Sequence, residues 1–197
     1  SLLIVICRKY FLFLYFVFKE KMEKKSIIDL NRLSQEEFRR ADKISLVVVL
    51  DNVRSLNNVG SVFRTGDAFL IENIFLCGIT ATPPHQEIHK TALGAEDSVS
   101  WMYYEDTNTA IDYLHEKGYI VFAIEQVENS VALQNIQLDK NNKYAVVLGN
   151  EVKGVQQKVV DKCDQSIEIP QFGTKHSLNV SVTAGLVIWD FFKKLYY

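Results

Sequence analysis

Residues 144–154 read YAVVLGNEVKG, an apolar run followed directly by a loop with two glycines. Its first five residues are apolar without alternation, which is typical of a strand buried on both faces of a parallel sheet. Two glycines, Gly149 and Gly154, then bracket the carboxylate of Glu151 in a polar loop. In open parallel sheets, ligands bind beyond the carboxyl ends of the strands. We therefore expect a parallel sheet with a ligand site in this loop.

Apolar runs of the same kind recur along the rest of the chain. We predict strands at residues 46–50, 74–77, 119–124, 144–148 and 166–169, with a less regular one at 98–103. We predict helices between them at residues 34–43, 59–70, 107–117, 155–162 and 178–197. The first helix follows from the capping box formed by Ser34 and Glu37. This alternation predicts an α/β domain, with a mostly parallel sheet flanked by helices.

Charge and apolar content divide the 197 residues into three parts. Residues 1–43 hold ten basic and six acidic side chains, whereas the remainder holds 12 and 18, so a polyanionic partner of the main domain would have to bind at local basic patches. We expect residues 1–21 to be an extension upstream of the native start, since their apolar runs are too short to span a bilayer. A membrane-surface anchor is the alternative. Residues 22–43 are predicted to be a short basic arm, and residues 44–197 the main domain.

Cysteines and histidines give no indication of a metal site. Cys7, Cys77 and Cys163 are widely spaced and odd in number, which suits unpaired thiols in a reducing cytoplasm. His85 and His89 are spaced like two metal ligands on a helix, but no zincin glutamate follows the first of them. The preceding prolines favour a loop there. We predict no metal.

Two more polar loops follow predicted strands. The first, at residues 51–60, reads DNVRSLNNVG, and we expect Asn57 or Asn58 to cap the helix behind it. Further along, Arg64 stands among apolar neighbours, so we expect it to be mostly buried and to need a phosphate or a carboxylate such as Asp67. The second, at residues 169–185, reads IPQFGTKHSLNVSVTAG, with Ser177 or Asn179 as the cap of the last helix.

In order, these loops resemble the signature motifs of the SpoU family of RNA 2′-O-ribose methyltransferases, within the SPOUT superfamily. The motifs are Asn-x-Gly-x-x-x-Arg, Gly-x-Glu-x-x-Gly and Ile-Pro-x-x-Gly-x-x-x-Ser-Leu-Asn-Val-Ser-Val, and they cover about residues 45–190. The resemblance implies a C-terminal trefoil knot, S-adenosyl-L-methionine as cofactor and RNA as substrate. Because residues 22–43 are too short for the separate RNA-binding domain that some family members carry, we favour tRNA over rRNA as the substrate. It also implies a homodimer. From the cysteine usage and the short apolar runs, we expect a cytoplasmic protein without stable membrane association.

Carried over by position, the resemblance implies a reacting face and a cofactor cradle. The reacting face comprises Asn58, Arg64, Glu151, Ser177 and Asn179. The cradle comprises Leu148, Gly149, Asn150, Gly154, Ile169, Pro170, Gly173 and Leu178. Because a neutral guanidinium is costly, we expect Arg64 to clamp a phosphate and stabilise charge on the 2′-oxygen rather than to act as the base. A catalytically silent RNA-binding module and an RNA base methyltransferase are the alternatives.

Overall fold

The computed structural model describes residues 23–26 and 30–197 of the chain. The predicted extension at residues 1–21, which includes Cys7, lies outside the described residues. The described residues before Ser34 belong to no helix or strand, and Ser34–Tyr197 forms a compact unit. None of the described helices has the length and hydropathy needed to cross a bilayer.

Helices and strands alternate along this unit. In chain order they are α1 (Gln35–Arg40), β1 (Ile44–Asp51), α2 (Leu56–Ala68), β2 (Ile71–Cys77), α3 (Gln86–Ala92), α4 (Ala95–Ser98), β3 (Trp101–Tyr104), α5 (Thr107–Glu116), β4 (Tyr119–Ile124), β5 (Val131–Ala132), a 3₁₀ turn (Leu133–Asn135), β6 (Lys143–Leu148), α6 (Gln157–Val160), β7 (Gln165–Glu168) and α7 (Val180–Tyr196).

The seven strands form one sheet in the order β3-β2-β1-β6-β4-β7-β5, and every described pairing is parallel. The predicted α/β fold with a parallel sheet is confirmed. Side chains of β1 alternate between two hydrophobic clusters, since Leu46 and Val48 join one and Val47 and Val49 the other. Both faces of β1 are therefore buried, which explains its unbroken apolar run. The trefoil knot stays a prediction.

Three local expectations are wrong. Neither Asn57 nor Asn58 caps α2, because the helix begins earlier and the Ser55 hydroxyl accepts from the Asn58 amide at 3.3 Å. The loop expected around His85 is helix α3, whose N-cap is His85 itself. The prolines lie before that cap, where their missing N–H groups cost the helix nothing. The helix predicted at 155–162 is shorter than expected, since α6 covers only Gln157–Val160.

Two predicted caps are confirmed. Ser34 and Glu37 form the capping box of α1, with each side chain accepting from the other residue's backbone amide, at 3.3 and 2.8 Å. Asn179 caps α7, since its side-chain oxygen accepts from the amides of Ser181 and Val182 at 2.8 and 3.4 Å. These caps satisfy donors that a helix start otherwise leaves unpaired.

Candidate functional site

The loops that follow β4, β6 and β7 enclose a cavity of about 610 Å³. These three strands are neighbours in the sheet, so the segments leaving their carboxyl ends meet at one edge. Of the predicted cofactor residues, six line the cavity: Leu148, Gly149, Asn150, Gly154, Ile169 and Leu178. Of the predicted reacting face, Glu151, Ser177 and Asn179 line it. Pro170, Gly173, Asn58 and Arg64 do not.

Close backbone contact shapes the loop after β6. A Cβ on Gly149 would lie 2.1 Å from the carbonyl carbon of Gly154 and 2.1 Å from the amide nitrogen of Val155. Asn150 and Gly154 form a two-way backbone bridge, with N–H to O distances of 3.0 and 2.8 Å. The Asn150 side chain fixes the turn further by donating to the Asn52 carbonyl at 2.8 Å. Backbone therefore forms this wall of the cavity, and glycine is required at position 149.

The carboxylate of Glu151 joins this loop to the loop after β1. It accepts from the backbone amides of Arg54 and Ser55, at 3.0 and 2.9 Å, and from the side-chain amide of Asn58 at 3.2 Å. Burial by itself raises the pKa of Glu151, but these hydrogen bonds outweigh it and leave the pKa below its ordinary value. The structure thus brings together two predicted residues 93 positions apart.

The loop after β7 brings two residues of the predicted reacting face, Ser177 and Asn179, to the cavity. Asn179 uses its side-chain oxygen on the start of α7, where the Ser181 hydroxyl also donates to it at 2.6 Å. Its side-chain NH₂ group makes no hydrogen bond within the described residues, so Asn179 can offer a ligand only a donor. Ser177 is exposed beside it. Both side chains can meet a hydroxyl-bearing ligand.

Arg64 is exposed on the surface of α2, so the expectation that it is mostly buried is wrong. Its apolar neighbours Val62 and Phe63 are buried, but the helical period turns position 64 outward. Within the residues that the structure describes, Arg64 has neither a hydrogen bond nor an ion pair, to Asp67 or to any other residue. Its guanidinium is free to bind an anion supplied by a ligand.

Sequence reasoning missed several polar residues of the cavity, of which Glu125, Gln126 and Thr183 are examples. The Glu125 carboxylate accepts from the amides of Gln126 and Val155, at 3.0 and 2.9 Å. It directly follows the predicted strand at 119–124. The rule that ligands bind at the carboxyl ends of strands would have found it, had it been applied to this strand as well.

Metal ligation finds no support in the described part of the chain, where no group of three His, Cys, Asp or Glu side chains could hold an ion. Cys77 is buried, Cys163 is half-buried, and both thiols are free. Burial raises the pKa of each to about 12, so neither is a thiolate near neutral pH.

Comparison with known proteins identifies one family over most of this fold. The model of the SpoU rRNA Methylase family matches residues 45–189. A Staphylococcus saprophyticus protein assigned to the TrmH family of tRNA/rRNA methyltransferases is 31% identical over 156 residues, which are 79% of this chain and 61% of that protein. A Staphylococcus haemolyticus protein of the same description is 33% identical over 151 residues, 77% of this chain and 59% of its own. The chain thus spans about three fifths of these curated relatives.

Solved structures share the same architecture. An AdoMet-bound rRNA methyltransferase from Sinorhizobium meliloti superposes with a TM-score of 0.71 at 25% identity, over 80% of this chain and 60% of that one. A TrmH/SpoU tRNA modifying enzyme from A. aeolicus gives a TM-score of 0.71 at 23% identity, over 81% of both chains. The second similarity shows the fold alone.

Proposed function

Because the chain belongs to the SpoU rRNA methylase family, we propose that it is an S-adenosylmethionine-dependent methyltransferase acting on a ribose 2′-hydroxyl of RNA. The observation that carries the proposal is the clamp in which Glu151, at the cavity, holds Asn58 of the predicted reacting face. The names of the relatives cover tRNA and rRNA alike. We keep tRNA as the favoured substrate and the cytoplasm as the location.

The cavity fits S-adenosylmethionine on size and on the character of its walls. Its volume of about 610 Å³ lies within the usual range for small-molecule sites. The backbone at Gly149 comes so close to Gly154 that a side chain is excluded, which leaves amides and carbonyls to meet the ligand. Leu148 and Ile169 supply apolar walls, and Glu125 supplies a carboxylate at the rim. When bound, the cofactor supplies an electrophilic methyl group.

The chain's own residues position the ribose. Methyl transfer to oxygen depends chiefly on in-line placement of the hydroxyl, because the reacting groups must meet at short range. Ser177 and the NH₂ group of Asn179 stand at the cavity mouth, where they can orient the sugar hydroxyls. Glu151 keeps Asn58 and the loop after β1 in place and is a positioning residue, since its oxygens are occupied by protein donors.

Arg64 is the residue best suited to the phosphate beside the reacting ribose. It is cationic, exposed and without a protein partner in the described residues, whereas a base would need a neutral side chain. Binding that phosphate places positive charge near the 2′-oxygen as negative charge develops there. Arg64 does not line the cavity, so it can act on the RNA without contacting the cofactor.

The rate of methyl transfer to tRNA, measured for the parent protein and for Arg64→Ala, tests this function. We expect kcat to fall by about 10²–10³, the usual loss for one electrostatic donor in a transition state. The affinity for S-adenosylmethionine, measured by calorimetry, should stay unchanged. Arg40→Ala removes another exposed arginine, paired with Glu36 on α1, and should keep the kcat of the parent protein. Equal turnover in both variants would remove Arg64 from the reaction.

A homodimer is the assembly we propose, through an exposed apolar stripe on α7. The stripe consists of Val182, Leu186, Trp189 and Tyr196, whose exposed fractions are 51, 43, 45 and 56%. Their spacing of four, three and seven residues places them on one face of the helix. Contiguous exposed apolar surface of this kind marks protein contacts, and a second copy offers the same face in return.

A further inference from the structure

A second cleft, of about 680 Å³, lies beside α3 and shares no residue with the cofactor cavity. Its walls include Pro83, Pro84, His85, His89, Glu96 and Trp101. The proposed function assigns nothing to this cleft. It contains the two histidines that sequence analysis set apart as a metal-like pair.

His85 presents a hydrogen-bond donor to the cleft. Its Nδ1 atom accepts from the backbone amide of Glu87 at 3.1 Å, as the N-cap of α3. A neutral imidazole that accepts at Nδ1 carries its proton on Nε2. The free edge of His85 is therefore an N–H group.

His89 presents an acceptor. Its Nδ1 lies 2.6 Å from one oxygen of Glu96, whose side chain is only 8% exposed, and the other oxygen accepts from the Gly94 amide at 3.0 Å. Burial alone raises the pKa of Glu96, but the hydrogen bonds from His89 and Gly94 outweigh it and leave the pKa below its ordinary value. The ionised carboxylate can only accept, so Nδ1 of His89 donates, and in the neutral tautomer of that imidazole Nε2 carries the lone pair.

Two further features of the cleft suit a nucleotide. Trp101 is half-buried at the start of β3 and gives the cleft an aromatic wall on which a base can stack. Asp97 also lines the cleft, and its carbonyl accepts at 2.8 Å from the Arg39 guanidinium, whose other N–H groups are unbonded within the described residues. A phosphate can bind there.

The cleft is fixed in position relative to the reacting face. The Thr91 hydroxyl of α3 donates to the Asn57 carbonyl of α2 at 3.0 Å. Gly60 allows this approach, because a Cβ there would lie 2.3 Å from the Ile88 carbonyl oxygen. Since α2 also carries Asn58, a ligand held in the cleft would be held at a constant distance from the site of reaction.

We propose that this cleft binds an unstacked nucleobase of the RNA substrate, at a nucleotide other than the one methylated. A neighbouring donor and acceptor, at His85 and His89, match the edge of a base, and single-stranded RNA is recognised by edge hydrogen bonds together with stacking on aromatic rings. A metal ion fits less well, because Nε2 of a neutral His85 that accepts at Nδ1 is protonated and cannot ligate. In the described part of the chain, no group of three His, Cys, Asp or Glu side chains could hold an ion here. The inference rests on the proposed function only in naming RNA as the source of the base.

Fluorescence of Trp101 tests the cleft directly. The chain has two tryptophans, so Trp189→Phe leaves Trp101 as the only reporter. The protein is first saturated with S-adenosylhomocysteine to fill the cofactor cavity, and is then titrated with each of the four ribonucleoside 5′-monophosphates. We expect saturable quenching by at least one of them. The double variant His85→Ala/His89→Ala should raise the dissociation constant of that nucleotide about tenfold. His115 is an exposed histidine that lines neither cavity, and His115→Ala should leave the dissociation constant unchanged.

Absence of quenching at millimolar nucleotide, or equal affinity in the double variant, would overturn the inference. Kinetics on RNA separate this outcome from failure of the proposed function. If the cleft reads a base, the double variant raises KM for RNA about tenfold and leaves kcat unchanged. If the double variant methylates RNA with an unaltered KM, the base-binding role of the cleft is refuted and the proposed enzymatic function stands. If nucleotides quench Trp101 but the parent protein methylates no RNA, nucleotide binding in the cleft stands and the proposed enzymatic function is refuted.

Discussion

Replacing Gly149 by alanine is expected to lower both the free energy of unfolding and the affinity for S-adenosylmethionine. The new Cβ would lie 2.1 Å from the carbonyl carbon of Gly154 and from the amide nitrogen of Val155, where ordinary contact begins near 3.4 Å. Both atoms are backbone, so no side chain can rotate away. The segment must move, and overpacking of this kind costs about 1–3 kcal/mol.

Movement of that segment also disturbs the wall of the cavity. The bridge between Asn150 and Gly154, at 3.0 and 2.8 Å, sets the backbone orientation that we assign to cofactor binding. We expect the dissociation constant for S-adenosylmethionine, measured by isothermal titration calorimetry, to rise at least about tenfold, equivalent to about 1.4 kcal/mol. Urea denaturation followed by circular dichroism measures the loss of stability in the same samples.

Gly185→Ala is the matched control. Gly185 lies within α7, and a Cβ there would meet no atom within 4 Å. Alanine is the better helix former by about 0.8–1.0 kcal/mol, so this variant should be slightly more stable than the parent and should bind the cofactor as the parent does. If Gly149→Ala were as stable as Gly185→Ala and bound S-adenosylmethionine equally well, the reasoning about this loop would be refuted.

Glu151→Gln should lower the free energy of unfolding at pH 7, because it weakens the hydrogen bonds that the carboxylate accepts. The loss should be only about 1 kcal/mol, because solvent screens this exposed carboxylate. Because the folded-state pKa of Glu151 is lowered, the stability difference between the parent and Glu151→Gln should disappear as the pH falls through that pKa and the carboxylate is protonated. Urea melts that showed the same difference at every pH would contradict the role of the ionised carboxylate. Asn179→Ala should cost about 1 kcal/mol through loss of the α7 cap, whereas Asn135→Ala, at an exposed position with ordinary backbone, should cost little, and equal urea midpoints would contradict the cap. Trp189→Glu should convert the proposed dimer to monomer in analytical ultracentrifugation, and an unchanged sedimentation coefficient would exclude α7 as the interface.

The strands could be predicted because their burial leaves a direct mark on the sequence. β1, β4 and β6 lie in the middle of a parallel sheet, so both faces are buried and the apolar runs are unbroken. β5 has two residues, Val131 and Ala132, at the edge of the sheet, and such a short segment carries no periodicity. The family motifs led to the cavity residues because those motifs lie at strand ends.

Side-chain orientation and helix starts were harder to predict. The apolar neighbours of Arg64 suggested burial, but one residue of helical rotation, about 100°, separates buried Phe63 from exposed Arg64. The prolines before His85 suggested a loop, although their effect ends where α3 begins. The contact between Glu151 and Asn58 joins positions 93 residues apart, and no local pattern could have specified it.

The central claim is that this chain methylates a ribose 2′-hydroxyl of RNA. It is tested most directly by incubating the protein with S-adenosylmethionine and unmodified tRNA or rRNA, then digesting the RNA to nucleosides for mass spectrometry. We predict one new 2′-O-methylnucleoside, which Arg64→Ala forms about 10²–10³ times more slowly than the parent protein. A base-methylated nucleoside would contradict the ribose assignment, and no new methylated nucleoside in either RNA would contradict the enzyme.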